Sequence, residues 1–121
     1  MKILVVEDSR AMRMILVRTL RQAGFGGHDV VEAESGHAAL RLVMTEEPDL
    51  VLSDWNMPGM TGIDFLATLR SRGDATRFCF VTSEGSDEMR ERAAAAGAFG
   101  LIAKPFTVEA FLDVLSPTVT S

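Results

Sequence analysis

Short apolar runs alternate with segments of helical periodicity along the whole chain. Most of these runs are continuously apolar, which is typical of strands buried on both faces of a parallel sheet. The run that begins at His28 is more polar and is therefore predicted to be an edge strand. The predicted strands are residues 2–6, 28–33, 50–54, 77–82 and 99–103.

Hydroxyl residues stand where the intervening helices are predicted to begin, because a serine or threonine oxygen can accept a free N–H of the first helical turn. These candidate N-caps are Ser9, Ser35, Thr61, Ser86 and Thr107. Gly24 and Gly97 are predicted to end the first and fourth helices. The inward stripe of the first helix is predicted to include Ile15, and the tail from Ser116 is expected to fray.

Five strands that alternate with five helices indicate an α/β protein whose parallel sheet is covered by helices on both faces. The chain has 121 residues, about half of what a closed (β/α) barrel needs. An open three-layer sandwich that forms a single domain over residues 1–121 is therefore expected.

The composition of the chain argues against several classes of function. A net charge of −5 argues against binding to a nucleic-acid backbone, which requires a basic surface. No apolar run is long enough to insert into a membrane. Cys79 is the only cysteine, so no internal disulfide can form. This cysteine usage fits the reducing cytoplasm.

Polar residues cluster where the predicted strands end. The first strand ends in Glu7 and Asp8, the third in Asp54, the fourth in Thr82, and the fifth in Lys104. The carboxyl ends of parallel strands share one edge of the sheet, and ligands bind at that edge in open α/β folds. These side chains are therefore expected to converge although they are far apart in the sequence.

The chemistry of this set indicates phosphoryl transfer to a carboxylate. Three carboxylates that lie close together repel one another unless a positive charge offsets theirs. A hard cation such as Mg²⁺ would supply that charge, because it binds a few carboxylate oxygens and keeps several water ligands. The chain has one cysteine and two scattered histidines, so a zinc site is not expected. Lys104 adds a compact positive charge and Thr82 a hydroxyl donor. A carboxylate nucleophile, a metal, a lysine and a hydroxyl are the parts needed to form an aspartyl phosphate.

The sequence resembles response-regulator receiver domains, and in particular the single-domain chemotaxis regulators of the CheY type. The stretches that carry this resemblance are residues 3–8, 54–62, 81–83 and 103–106, which read ILVVED, DWNMPGMTG, VTS and AKPF. The resemblance implies a flavodoxin-like (CheY-like) fold with five helices and strand order 2-1-3-4-5, the order known for CheY itself. It also implies a cis peptide bond between Lys104 and Pro105.

The resemblance assigns a role to each residue at the predicted edge. Asp54 would accept the phosphoryl group from a sensor histidine kinase or a phosphotransfer domain. Asp8 would ligate Mg²⁺ directly, Glu7 largely through water, and Asn56 through its backbone carbonyl. Lys104 would contact a phosphoryl oxygen. Thr82 would move toward the phosphoryl group after transfer.

The resemblance also describes the expected output. The chain would act as a switch whose target binding changes on phosphorylation, in chemotaxis and with the flagellar motor switch as a candidate target. It would be a monomer or weak dimer and would catalyse only its own phosphorylation and dephosphorylation.

One position departs from the chemotaxis type, which carries an aromatic residue as a conformational reporter three residues before the lysine. Here that residue is Leu101, and Phe99 is either a partial substitute or a packing residue. Trp55, in the loop after Asp54, is expected to be partly exposed.

Other functions remain open at this point. The chain could be a receiver cut from a longer regulator, or a receiver used without phosphorylation. A phosphohydrolase with an aspartate nucleophile is disfavoured, because Asn56 stands where such enzymes carry a second acid. A nucleotide-binding module is disfavoured because Ser9-Arg10-Ala11 replaces a glycine-rich phosphate loop.

Overall fold

The structure is a computed structural model that describes residues 1–25, 29–104 and 107–120, with side chains through Leu115. The strands are β1 Lys2–Val6, β2 Asp29–Ala33, β3 Leu50–Asp54, β4 Arg77–Thr82 and β5 Gly100–Ala103. The helices are α1 Arg10–Leu20, α2 Gly36–Glu46, α3 Gly62–Ser71, α4 Asp87–Ala96 and α5 Val108–Thr120. A wider helical turn at Arg21–Phe25 extends α1.

All five strands pair in parallel, in the order β2-β1-β3-β4-β5. This confirms the predicted fold, with β2 and β5 as the two edge strands. Val6 pairs with Ser53, and Thr82 pairs with Ala103. The registers therefore bring the carboxyl ends of β1, β3, β4 and β5 to one edge of the sheet, as the sequence predicted.

The predicted N-caps are confirmed by hydrogen bonds. Each of the five hydroxyl oxygens accepts a backbone N–H three residues ahead, at distances of 3.0 to 3.3 Å. Gly24 and Gly97 end their helices with φ of 98° and 106°, values that glycine adopts without the strain a side chain would add. Local chemistry therefore sets where most helices begin and two of them end.

Two apolar layers cover the sheet. The layer under α2, α3 and α4 includes Val51, Phe65 and Phe80, and the layer under α1 and α5 includes Leu16 and Phe111. Alternate residues of each central strand enter opposite layers, as a parallel sheet buried on both faces requires.

Some expectations need correction. Ile15 is 43% exposed, and Val17 is buried in its place, because the face that α1 turns to the sheet is rotated toward Val17 relative to the predicted stripe. Phe99 lies outside β5. Helix α5 continues to Thr120, past Ser116, where the tail was expected to begin to fray.

Two expectations fall outside the described residues: the placement of His28 in the second strand, and the cis bond at Pro105. Within the described ranges, no helix has both the length and the apolar character needed to cross a membrane.

Candidate functional site

The carboxyl edge of the sheet brings three acids together. One carboxylate oxygen from each of Glu7, Asp8 and Asp54 lies within 4.8 Å of the other two. Glu7 and Asp54 are buried, while Asp8 is exposed at the start of the loop after β1. The predicted convergence of these side chains is therefore present in the structure.

Lys104 provides a positive charge between two of the acids. Its Nζ lies 3.5 Å from Glu7 Oε1 and 3.6 Å from Asp54 Oδ1, and its side chain is 17% exposed. Both distances exceed those of a close charged hydrogen bond. The lysine therefore offsets part of the acidic charge without closing onto either carboxylate.

The surroundings of Glu7 disfavour its ionised form. Its Oε2 is buried and has no hydrogen-bond partner among the described residues. Burial, followed by the neighbouring Asp54 carboxylate, raises the pKa of Glu7 to about 8 although Lys104 opposes the shift. The Glu7 oxygen is buried, has no hydrogen-bond partner among the described residues and lies beside two further acids. These are the properties expected of a group that binds a cation or a cation-bound water.

The donor set fits Mg²⁺ better than a softer metal. All three side chains offer carboxylate oxygens, which Mg²⁺ prefers, and the exposure of Asp8 leaves access for water. Asn56 lies two residues beyond Asp54 and is exposed at the same edge, which is where a backbone carbonyl ligand was expected.

Thr82 and Lys104 are tied together through the backbone. The Lys104 N–H donates to the Thr82 carbonyl at 2.7 Å. The Thr82 side chain is fully buried, and its Oγ1 accepts the Glu84 N–H at 3.2 Å. The hydroxyl therefore keeps its own proton available for another acceptor at the end of β4.

A glycine lets the loop after Asp54 fold back on β3. The Gly62 N–H donates to the Trp55 carbonyl at 2.8 Å. A Cβ at Gly62 would lie only 2.2 Å from the Asp54 carbonyl oxygen. Only glycine permits this approach, which fixes the backbone on the carboxyl side of the proposed phosphoacceptor.

The expectation that Trp55 is partly exposed is wrong. Its side chain is 6% exposed, its ring lies 4.5 Å from that of Phe80, and the Arg92 guanidinium lies 5.3 Å from its ring centre. The sequence showed no sign of this burial, because Phe80 and Arg92 belong to β4 and α4, far from Trp55 along the chain. The residue after Asp54 is therefore packed against α4.

At the position where an aromatic reporter was expected, Leu101 is 3% exposed and belongs to the core. The Lys104 N–H points toward β4, because it donates to the Thr82 carbonyl. Backbone groups of successive residues in a parallel strand point to opposite sides, so the Leu101 carbonyl faces away from β4, toward the open edge of the sheet. There it accepts a hydrogen bond from Arg90 Nη1 at 3.1 Å. Sequence reasoning gave no signal for this contact.

Phe99 cannot substitute for that reporter. Thr82 pairs with Ala103, and Phe99 lies four residues earlier, about 13 Å away along an extended chain. Its ring packs under the Arg77 guanidinium at 5.3 Å, at the opposite end of the sheet. Phe99 is 37% exposed and lies outside both apolar layers, so its ring contacts Arg77 at the surface and is not a core residue.

Comparison with known proteins identifies the family to which the chain belongs. Residues 3–116 match the model of the response regulator receiver domain family. The chain therefore belongs to the response regulator receiver domains, a family of response regulators rather than classical enzymes.

Within that family, the chain is similar to chemotaxis proteins. It is 39% identical to chemotaxis protein CheY-3 of Vibrio cholerae over 117 residues, which are 95% of this chain and 88% of the relative. It is 40% identical to chemotaxis protein CheY of Pseudomonas aeruginosa over 111 residues, which are 90% and 88% of the two chains. It is thus homologous to CheY-type regulators.

A solved structure confirms the fold, and a longer relative shows another context for it. The chemotaxis protein CheY4 of Vibrio cholerae superposes with a TM-score of 0.84 at 34% identity, and the match covers 96% of each chain. The response regulator FleR of Pseudomonas aeruginosa is 38% identical over 95% of this chain, which spans only 24% of FleR. The same domain therefore occurs within longer regulators.

Proposed function

We propose that this protein is a phosphorylation-driven switch that accepts a phosphoryl group on Asp54. The observation that supports this most directly is the placement of Lys104, 3.6 Å from Asp54 and 3.5 Å from Glu7 at the edge where the acids converge. A single lysine among three acids suits a site that receives a further cation and then an anionic group.

The proposed reaction needs no general base, because the Asp54 carboxylate attacks phosphorus in its ionised form. The donor is a phosphohistidine of a sensor kinase or phosphotransfer domain. The Asp54 O–P bond forms while the histidine N–P bond breaks, and the released imidazole takes up a proton from water. Lys104 holds a phosphoryl oxygen, and the Thr82 hydroxyl donates to another.

Mg²⁺ is the proposed cofactor, held by Asp8, Asp54 and the Asn56 backbone carbonyl, with Glu7 acting through water. When bound, it offsets the charge of the carboxylates and of the phosphoryl group. The buried, unpaired oxygen of Glu7 supports this assignment. Dephosphorylation would be hydrolysis catalysed by the protein itself: water attacks phosphorus, the Asp54 O–P bond breaks, and inorganic phosphate leaves.

We further propose that the switch acts in chemotaxis signalling in the cytoplasm, as one domain over residues 1–121 and as a monomer or weak dimer. The similarity to CheY proteins supports the pathway, and a buried free thiol at Cys79 fits a reducing compartment. The flagellar motor switch is the candidate target. Because Leu101 replaces the aromatic reporter, the active state is read through a different contact.

The test is to supply Mg²⁺ and a small phosphodonor such as acetyl phosphate, and to measure the intact mass. The native protein should gain one phosphoryl group, and Asp54→Asn should gain none. Asp49→Asn is a matched control, because Asp49 precedes β3 at its other end. A native protein that stays unmodified, or Asp54→Asn that is still labelled, would contradict the proposal.

A further inference from the structure

A side chain from α1 holds the chain where β1 ends. The Glu7 N–H donates to the Ala33 carbonyl at 3.1 Å, which is the last rung toward β2 because that strand ends at Ala33. In a parallel ladder the Glu7 carbonyl faces the same neighbour. It accepts instead from Arg13 Nη1 at 2.8 Å. The guanidinium therefore continues the ladder where the backbone partner is missing.

Arg13 is itself fixed in place. Its Nε donates to Glu32 Oε1 at 3.1 Å, and only 16% of its side chain is exposed. The planar guanidinium thus uses two of its edges at once, one on the backbone of β1 and one on the side chain from β2. An ammonium group cannot reproduce this fork, so lysine is not an equivalent residue here.

The hydrogen bond to the Glu7 carbonyl also determines the position of the Asp8 backbone. A peptide unit is planar, so the direction of this carbonyl fixes the Asp8 N–H on the opposite side and the Asp8 Cα beyond it. Packing holds Glu7 and Asp54, which are buried, but Asp8 is exposed. The peptide before Asp8 is therefore what orients this acid toward the other two.

The charge of Arg13 is a less important factor than its geometry. The neighbours that shift the pKa of Glu7 are Asp54, Lys104 and Asp8, and Arg13 is not among them. Its hydrogen bond is made to a backbone carbonyl and not to a carboxylate. Its effect on the acids is therefore exerted through the direction of the backbone.

We propose that Arg13 is a positioning residue that sets the cation affinity of the acidic cluster by holding the Glu7–Asp8 peptide. This inference rests on the proposed function, because the cation is the proposed Mg²⁺. Groups that orient metal ligands without touching the metal typically change affinity about 10- to 100-fold when they are replaced.

The test is an Mg²⁺ titration, followed by the fluorescence of Trp55, on the native protein, Arg13→Lys and Arg13→Gln. Both variants should bind Mg²⁺ at least about tenfold more weakly, since neither can form the fork. At saturating Mg²⁺, labelling of Asp54 should recover in both. Arg18→Gln is the matched control, an exposed arginine of the same helix that should keep native affinity.

A second measurement separates orientation from general destabilisation. In the metal-free protein, the backbone amide resonance of Asp8 should shift in both Arg13 variants and stay in place in Arg18→Gln. The amide reports the peptide direction directly and can be compared well below the melting temperature of each variant. If a variant does not fold, slow exchange of the Arg13 Nη protons in the native protein tests the same hydrogen bond.

The outcomes distinguish the two proposals. A native protein that shows no response to Mg²⁺ overturns the proposed function and this inference together. A native protein that responds, with Arg13→Lys and Arg13→Gln both binding as tightly as Arg18→Gln, overturns this inference alone. Retained affinity in Arg13→Lys with loss in Arg13→Gln would show that charge acts and not the fork, which also contradicts the inference.

Discussion

The two lysines of the chain lie at opposite ends of the sheet, and their surroundings differ. Lys2, at the amino end, has a close partner: its Nζ lies 2.8 Å from Glu46 Oε2, and this hydrogen bond raises its pKa. Lys104, at the carboxyl end, stands 3.5 and 3.6 Å from two acids, with a third acid in the same cluster. The acids that raise the pKa of Lys2, which are Glu46, Asp29 and Asp49, lie at or near the surface, whereas Glu7 and Asp54 beside Lys104 are buried.

This difference separates the two ends electrostatically. Water screens the exposed acids around Lys2, and the close contact between Lys2 and Glu46 joins β1 to the end of α2. An unbalanced, partly buried cluster opposes folding, and such clusters occur at functional sites. The carboxyl end is thus the part of the sheet that a cation and an anion would complete.

The largest expected effect concerns pH. Because the folded pKa of Glu7 is about 8 and its ordinary value is 4.5, folding favours the protonated carboxyl group. This contribution is complete below the ordinary value and is lost as the pH rises through about 8. In metal-free protein, the free energy of unfolding should therefore fall by a few kcal/mol from pH 5 to about pH 8.

Urea denaturation with a chelator present measures this dependence. Glu7→Gln should remove most of it and should be more stable than the native protein at the alkaline end. Glu46→Gln, at the amino end, is the control and should retain the native slope. A slope unchanged in Glu7→Gln would show that the imbalance at the carboxyl end is not centred on Glu7.

The next effect concerns the close approach at the carboxyl end. Gly62→Ala places a Cβ against the Asp54 carbonyl oxygen, and we expect it to destabilise the fold by about 2–3 kcal/mol. Gly36→Ala, at the first position of α2, would bring its Cβ to 2.9 Å from Met60 Cβ, a less severe contact and one with a side chain instead of the backbone. Chemical denaturation of both should show the larger loss in Gly62→Ala; equal losses would refute a site-specific constraint.

The lysines themselves provide a third test. Lys104→Gln should slow labelling of Asp54 at saturating Mg²⁺ by at least about tenfold, because the phosphoryl group loses its cation. Lys2→Gln should leave this rate unchanged. The rates are compared by intact mass over time, and similar rates in the two variants would remove Lys104 from the proposed reaction.

The smallest effect compares two arginines that lie over aromatic rings at opposite ends of the sheet. Arg92→Ala and Arg77→Ala should each cost about 0.5–1 kcal/mol of unfolding free energy. Only Arg92→Ala should change the emission of Trp55 and its response to phosphorylation. An emission change in Arg77→Ala as well would mean that Trp55 does not report locally.

Sequence reasoning reached the parts of this structure that are set locally. Strand limits follow from apolar runs and helix starts from single hydroxyls, and parallel strands must deliver Glu7, Asp54 and Lys104 to one edge. The burial of Trp55 and the two hydrogen bonds of the Arg13 guanidinium could not be predicted from the sequence. Each depends on where residues far away in the chain are placed, and local periodicity carries no information about that.

The contact between Arg90 and Leu101 has a consequence for association between molecules. An edge strand exposes unpaired backbone groups, onto which a strand of another molecule can add and start aggregation. Strand β5 has only four residues, and the guanidinium of Arg90 occupies one of its outward-facing carbonyls, that of Leu101. A charged side chain thus takes up a backbone acceptor that a foreign strand would need to pair with this short edge.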